Sequence, residues 1–149
     1  MDAKYELLRH MLAAISYRTA KALRDTPAGF ADYQVFGGTR SPGQILAHMG
    51  DLFDWALSML EGHAEWREAS PLVWDQEVRR FFTTLERVDD RLASGQFTDC
   101  SVERLLQGPF SDSLTHTGQL LMLRRMAGSP VRGENYYRAD IAAGRLGPG

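Results

Sequence analysis

Apolar residues recur at steps of three and four positions in four long stretches of the chain, and no stretch shows a sustained alternation of apolar and polar residues. The first spacing places side chains on one face of an α-helix, whereas alternation would indicate a strand. The predicted helices run from about Lys4 to Asp25, from Ser41 to Glu61, from Ser70 to Gly95 and from Pro109 to Ala127. Since each helix carries an apolar stripe along one side, we predict an all-α fold, an antiparallel four-helix bundle.

Two of the helix starts carry recognisable local signals. Ser41, Pro42 and Gln44 have the spacing of a capping box with a proline in the first turn. In that motif the serine and glutamine side chains satisfy backbone N–H groups that the first turn leaves unpaired. Ser70 followed by Pro71 repeats part of the signal, so we predict that the third helix begins there.

The connections between the helices are marked by Gly and Pro. Residues 26–40 are the longest of them and predict a long loop after the first helix. Its aromatic side chains, Phe30, Tyr33 and Phe36, are expected to pack onto the bundle. Residues 102–106 predict a short turn before the last helix.

The C-terminal tail has one short helix candidate, residues 136–143. It also holds a cluster of aromatic and charged side chains, namely Tyr136, Tyr137, Arg138 and Asp140. Two interpretations stay open. The cluster either closes over the mouth of a site and binds an anionic substrate, or it anchors the tail by packing.

Composition indicates one globular domain spanning residues 1–149. The chain is 44% hydrophobic and 24% charged, which is typical of a protein with a packed core. A net charge of −2 offers no general attraction to nucleic acid, so no nucleic-acid partner is expected. Because neither a signal-peptide pattern nor an apolar run of membrane-spanning length is present, we expect a cytoplasmic protein without a membrane partner.

The single cysteine, Cys100, excludes an internal disulfide. It lies in a predicted loop before a helix. A reactive thiol is one interpretation, and an inert side chain is the other, which the absence of a neighbouring base in the sequence favours.

The strongest candidates for chemistry are His48 and His116. Each falls on an apolar stripe, His48 in the second predicted helix and His116 in the fourth. An imidazole inside a bundle is costly unless its nitrogens have partners. The two rings therefore either share a metal ion or are separately satisfied core histidines, bonded to a carbonyl, a Thr or a Gln.

Asp112 precedes His116 by four residues, which places both side chains on one helix face, one turn apart. A carboxylate at this position can be a third metal ligand. It is equally explained by the preference of acidic residues for the first turn of a helix. Two imidazoles and one carboxylate would leave coordination positions open, which is the layout of a catalytic metal site.

The remaining candidates are weaker. His10 lies beside the apolar stripe of its helix, and His63 follows a helix C-terminus, so both are expected at the surface. Asp51 lies three residues after His48 and either orients that ring or, like Asp54, faces solvent.

Two segments, SPGQILAHMGDLFDWAL and DSLTHTGQLLMLRRMAG, resemble the second and last helices of the DinB / YfiT-like superfamily of metalloenzymes. The resemblance covers most of the chain and implies a four-helix bundle. It also implies a metal site made of one histidine in helix two and an H-x-x-x-H pair in the last helix. His48 and His116 match two of these positions, and Asp112 stands where the third histidine would be. The replacement is either a ligand exchange or the mark of a weakened site.

The resemblance further implies an enzyme that depends on a divalent metal and acts on a small-molecule substrate. Relatives include thiol-dependent transferases that use a low-molecular-weight thiol, and a hydrolase is the other reaction we consider. Nitrogen and oxygen ligands suit zinc, nickel, iron or manganese. Family members are often dimers, so a homodimer is expected. The alternative is a non-catalytic bundle that binds a small ligand or a partner protein around a degenerate metal site.

Overall fold

The structure is a computed structural model and describes residues 2–97 and 100–149. Within those residues it is all-helical, without a strand, which confirms the predicted all-α class. The long helices are α1 (Ala3–Leu23), α2 (Pro42–Leu60), α3 (Trp74–Ser94) and α5 (Ser111–Met126). A single-turn helix, α4 (Val102–Leu105), precedes α5, and 3₁₀ turns lie at Phe30–Asp32 and Tyr136–Arg138.

The apolar stripes of the long helices meet in one core. Helix α2 packs against α3 and α5, and α1 packs against the same two helices. The largest fully buried side chains include Leu12 of α1, Phe53 of α2, Phe81 of α3 and Leu120 of α5. A polar contact also joins α1 to α5, where the hydroxyl oxygens of Thr19 and Thr117 lie 2.9 Å apart. In the described part of the chain, no helix combines the length and the apolar character needed to cross a bilayer.

Helix α2 begins as its sequence predicts. The Gln44 N–H donates to Ser41 Oγ at 3.3 Å, and the Ser41 N–H donates to Gln44 Oε1 at 2.9 Å. Both halves of the capping box are formed, with Pro42 as the first helical residue. This local signal fixes the start of the helix that carries His48.

The prediction that the third helix begins at Ser70 is wrong, because α3 begins at Trp74. Residues 63–73 run without regular structure along the outside of the molecule. The Glu77 carboxylate reaches back from α3 and accepts a hydrogen bond from the Leu72 N–H at 3.0 Å. Two further bonds tie the segment to α2, from Glu65 N–H to Ser58 Oγ and from Ala69 N–H to Asp51. These tertiary bonds outweigh the local preference of Ser-Pro for a helix start.

The last helix, α5, begins at Ser111 rather than at Pro109, and the chain before it is already helical from Val102. Instead of a turn followed by a helix at Pro109, α4 continues into α5 through a π-helical turn, Leu106–Phe110, that contains the proline. A proline lacks one backbone donor and crowds the preceding turn. A widened turn is a common way for a helix to continue past such a residue.

The aromatic side chains of the 26–40 loop divide into two groups. Phe30 is buried and meets Trp74 edge to face, with ring centroids 5.7 Å apart. Tyr33 is half-buried, but Phe36 is 71% exposed. The expected packing onto the helices is therefore confirmed for Phe30 and wrong for Phe36.

The tail is helical only over Tyr136–Arg138, so the predicted helix 136–143 is too long. The guanidinium of Arg18 lies over the Tyr136 ring at 4.1 Å. Nearby, Lys21 Nζ lies 2.6 Å from the Glu134 carboxylate. Both cations belong to α1, and these contacts favour the interpretation in which the tail is anchored by packing.

Candidate metal centre

The structure brings His48 of α2 and His116 of α5 together. Their ring centroids are 4.8 Å apart and the ring planes are nearly perpendicular, at 87°. His116 is buried, and His48 is half-buried, with 20% of its side chain exposed. Met49 is fully buried beside His48, and Leu120 is fully buried one turn after His116, so core packing holds the backbone of both histidines in place.

Asp112 completes a group of three metal-ligand side chains. Its Oδ2 lies 3.5 Å from His116 Nε2 and 3.8 Å from His48 Nε2. Ligand atoms of the three residues all lie within 4.8 Å of one another. Tetrahedral ligands about 2.1 Å from a zinc ion are roughly 3.4 Å apart, so small side-chain rotations would bring this group to metal-binding distances. The three residues can therefore hold a metal ion.

Gln119 fixes the tautomer of His116. Its Oε1 lies 2.8 Å from His116 Nδ1. Because an amide oxygen only accepts hydrogen bonds, Nδ1 donates, and the lone pair of the neutral ring is on Nε2, towards Asp112. Metal-binding histidines commonly donate their second ring nitrogen to such an acceptor. A Gln was one of the partners expected for a core histidine, and Gln119, three residues after His116, lies within reach on the helix surface.

The environment favours a neutral His48. Burial, the positive charge of Arg40 and the neighbouring His116 lower the pKa of the His48 imidazole, while Asp112 and Asp51 act in the opposite direction. A lowered pKa keeps the ring unprotonated near neutral pH. The unprotonated form is the one that can bind a metal.

Trp66 covers one side of His48. It belongs to the extended segment 63–73, and its ring lies 5.7 Å from the His48 ring and 5.8 Å from the Trp55 ring, edge to face in both cases. Trp66 is itself 41% exposed, so it forms a partly exposed wall on one side of the imidazole. This contact was not predicted, because the segment containing Trp66 shows no helical or strand periodicity.

Asp51 and Asp54 belong to a separate ionic cluster. Both carboxylates accept hydrogen bonds from Arg80 Nη2 of α3, Asp54 at 2.6 Å. Burial lowers the pKa of the Arg80 guanidinium, but hydrogen bonds to Asp51 and Asp54 more than offset this effect and raise it overall. Asp51 is buried, so it does not face solvent, and its hydrogen bonds go to Arg80 and the Ala69 N–H rather than to the His48 ring.

Gly50 makes room for this cluster. A Cβ atom at Gly50 would lie 2.7 Å from Arg80 Nη1. The guanidinium thus passes over the α2 backbone at a point where any larger residue would displace it.

The other two histidines lie outside the site, as predicted. His10 is exposed on α1, and His63 is exposed after α2, with its Nε2 3.2 Å from the Glu61 carboxylate. Cys100 is half-buried and lines a separate cavity with Met59 and Arg104.

A cavity of about 350 Å³ lies next to His116, which is the one member of the three-residue group that lines it. His116 and Gln119 form part of its wall, and Arg40 also contributes.

Comparisons of the chain with protein-family models, curated proteins and solved structures found no match. The resemblance to the DinB-like superfamily therefore stays a prediction, and function has to be argued from the geometry of this site.

Proposed function

We propose that the protein is a divalent-metal-dependent enzyme that acts on a small molecule, with the ion held by His48, Asp112 and His116. The observation that carries the proposal is the convergence of the three side chains from two helices. We further propose that the helices form the antiparallel four-helix bundle expected of a DinB-like protein.

The donor set fits a catalytic metal. Two neutral imidazoles and one carboxylate give a ligand charge of about −1, which partly neutralises a divalent cation, and these donors suit zinc, nickel, iron or manganese. Three protein ligands leave coordination positions for other molecules. A divalent ion here supplies Lewis acidity, which lowers the pKa of a thiol or a water molecule and makes it a better nucleophile.

The protein's own residues have separable roles in this proposal. His48 and His116 supply the nitrogen donors, and Gln119 keeps His116 in the tautomer that leaves Nε2 available. Trp66 forms a partly exposed wall on one side of His48. Transfer of a small thiol and hydrolysis are the two reactions that this arrangement supports.

Zinc titration by calorimetry, together with metal analysis of the purified protein, tests the proposal. The variant His48→Ala plus His116→Ala should lose zinc binding. The matched control is His10→Ala plus His63→Ala, which also removes two histidines, both exposed and outside the site. Equal zinc affinity in the two double variants would reject the proposed metal centre.

A further inference from the structure

The cavity next to His116 is lined by both polar and apolar side chains. Its polar part is formed by His116 and Gln119, and its apolar wall is formed by Ile45, Met122 and Leu123. Arg40 adds a positive charge to the lining. A volume of about 350 Å³ is in the range of small-molecule pockets, which run from roughly 300 to 1,000 Å³.

Arg40 is available for a ligand. The residue is exposed, and none of the ion pairs among residues 2–97 and 100–149 includes it. A guanidinium has a planar fork of donors that matches a carboxylate.

The apolar side chains of the cavity indicate the chemistry of the rest of the ligand. Ile45 is buried, and Met122 is 57% exposed although it is a large apolar side chain. A flexible methionine adapts its shape to different apolar ligands. The combination of one unpaired cation with an apolar wall fits an anionic group on a short apolar body better than it fits a sugar or a cation.

We infer that this cavity binds a small apolar carboxylate, with the carboxylate against Arg40 and the apolar part against Ile45 and Met122. The inference rests on the proposed function, because it makes the cavity the substrate side of the metal centre. It assigns Arg40 as the residue that selects for an anion, and it assigns a carboxylate as the substrate class.

Titration with hexanoate, followed by amide chemical shifts in NMR spectra, tests this inference. Hexanamide and hexylamine are the matched neutral and cationic probes. All titrations are carried out on metal-free protein with a chelator present, and then on zinc-loaded protein. In the metal-free protein we expect hexanoate to shift the signals of Ile45, Gln119 and Met122 and to bind at least about fivefold tighter than hexanamide.

Two variants locate the interaction. Arg40→Gln should weaken hexanoate binding by about fivefold or more and leave hexanamide binding unchanged. Met122→Glu places a negative charge in the cavity wall, which repels the carboxylate of hexanoate and should also weaken its binding. Because Met122 is exposed, this variant should still fold. Arg79→Gln is the control, since Arg79 is exposed on α3 and does not line the cavity.

The outcomes separate the two proposals. If zinc binds at the histidines but hexanoate binds no better than hexanamide, or is insensitive to Arg40→Gln, the cavity inference is overturned and the metal centre stands. Hexanoate binding that requires zinc and ignores Arg40 also overturns it, because the carboxylate would then be ligating the ion. Arg40-dependent binding in a protein without zinc affinity would support a carboxylate-binding cavity, but it would reject the metal centre and with it the assignment of the carboxylate as a substrate.

Discussion

At the residue scale, Asp112 differs from the two histidines in its surroundings. Its side chain is 47% exposed, whereas His116 is buried and His48 is half-buried. The aspartate side chain is shorter than a histidine side chain, and it carries a negative charge. Its Oδ2 lies 3.5 Å from His116 Nε2 and 3.8 Å from His48 Nε2, so its interaction with the two rings is electrostatic rather than a hydrogen bond.

Substitutions of Asp112 separate the effect of charge from that of ligand geometry. We expect Asp112→Asn to weaken zinc binding by roughly tenfold or more, because the amide keeps the shape but loses the charge that offsets the cation. Asp112→His, which creates the three-histidine set of the resembled superfamily, should retain high affinity. Competition with a chromophoric chelator measures both affinities.

Thermal melting of the metal-free variants is the control for this comparison. Because Asp112 is half-exposed, neither substitution should change the metal-free melting temperature much. Undiminished zinc affinity in Asp112→Asn would show that the carboxylate is not a ligand and that its position only reflects the preference of acidic residues for the first turn of a helix.

At the element scale, the starts and ends of the helices show what a sequence can and cannot predict. The start of α2 depends on Ser41 and Gln44, which are neighbours in the chain, so the prediction was confirmed. The start of α3 depends on bonds between the 63–73 segment and α2, which local signals do not encode. The site follows the same division: periodicity predicted that His48 and His116 face the core, but not that Trp66 would lie against His48.

The Arg80 cluster ties α2 to α3, and its loss should be costly. We expect Arg80→Met to lower the free energy of unfolding by about 3–5 kcal/mol, because it leaves buried carboxylates without their cation. The carboxylates concerned are Asp51, with 5% of its side chain exposed, and Glu77, with 1% exposed. Denaturant unfolding followed by circular dichroism measures the change.

Arg79→Met is the matched control for that experiment. Arg79 neighbours Arg80 on α3 but is exposed, so its replacement should change the free energy of unfolding by no more than about 0.5 kcal/mol. Similar losses in both variants would mean that the effect comes from the α3 surface rather than from the buried cluster.

At the scale of the whole molecule, the candidate site joins distant parts of the chain. His48 belongs to α2, whereas Asp112 and His116 belong to α5, and the two helices pack against each other. An ion bound by all three residues would bind the folded state and not the unfolded chain. Binding of this kind stabilises a protein in proportion to the logarithm of the ligand concentration.

Zinc should therefore raise the melting temperature in a concentration-dependent manner. At a free zinc concentration 100 times the dissociation constant, the stabilisation should be about 2.7 kcal/mol. Differential scanning calorimetry with zinc buffered by a weak chelator gives the dependence. The same rise in the variant His48→Ala plus His116→Ala would mean that zinc acts elsewhere on the protein.

The wall that Trp66 forms has a practical consequence. The Trp66 ring lies 5.7 Å from the His48 ring. An ion such as Ni²⁺ or Co²⁺ at this centre would therefore quench the fluorescence of Trp66 more strongly than that of a more distant tryptophan. Replacing Trp66 with phenylalanine should then reduce this quenching while leaving the histidines intact. Tryptophan fluorescence would then report the occupancy of the proposed site without an added label.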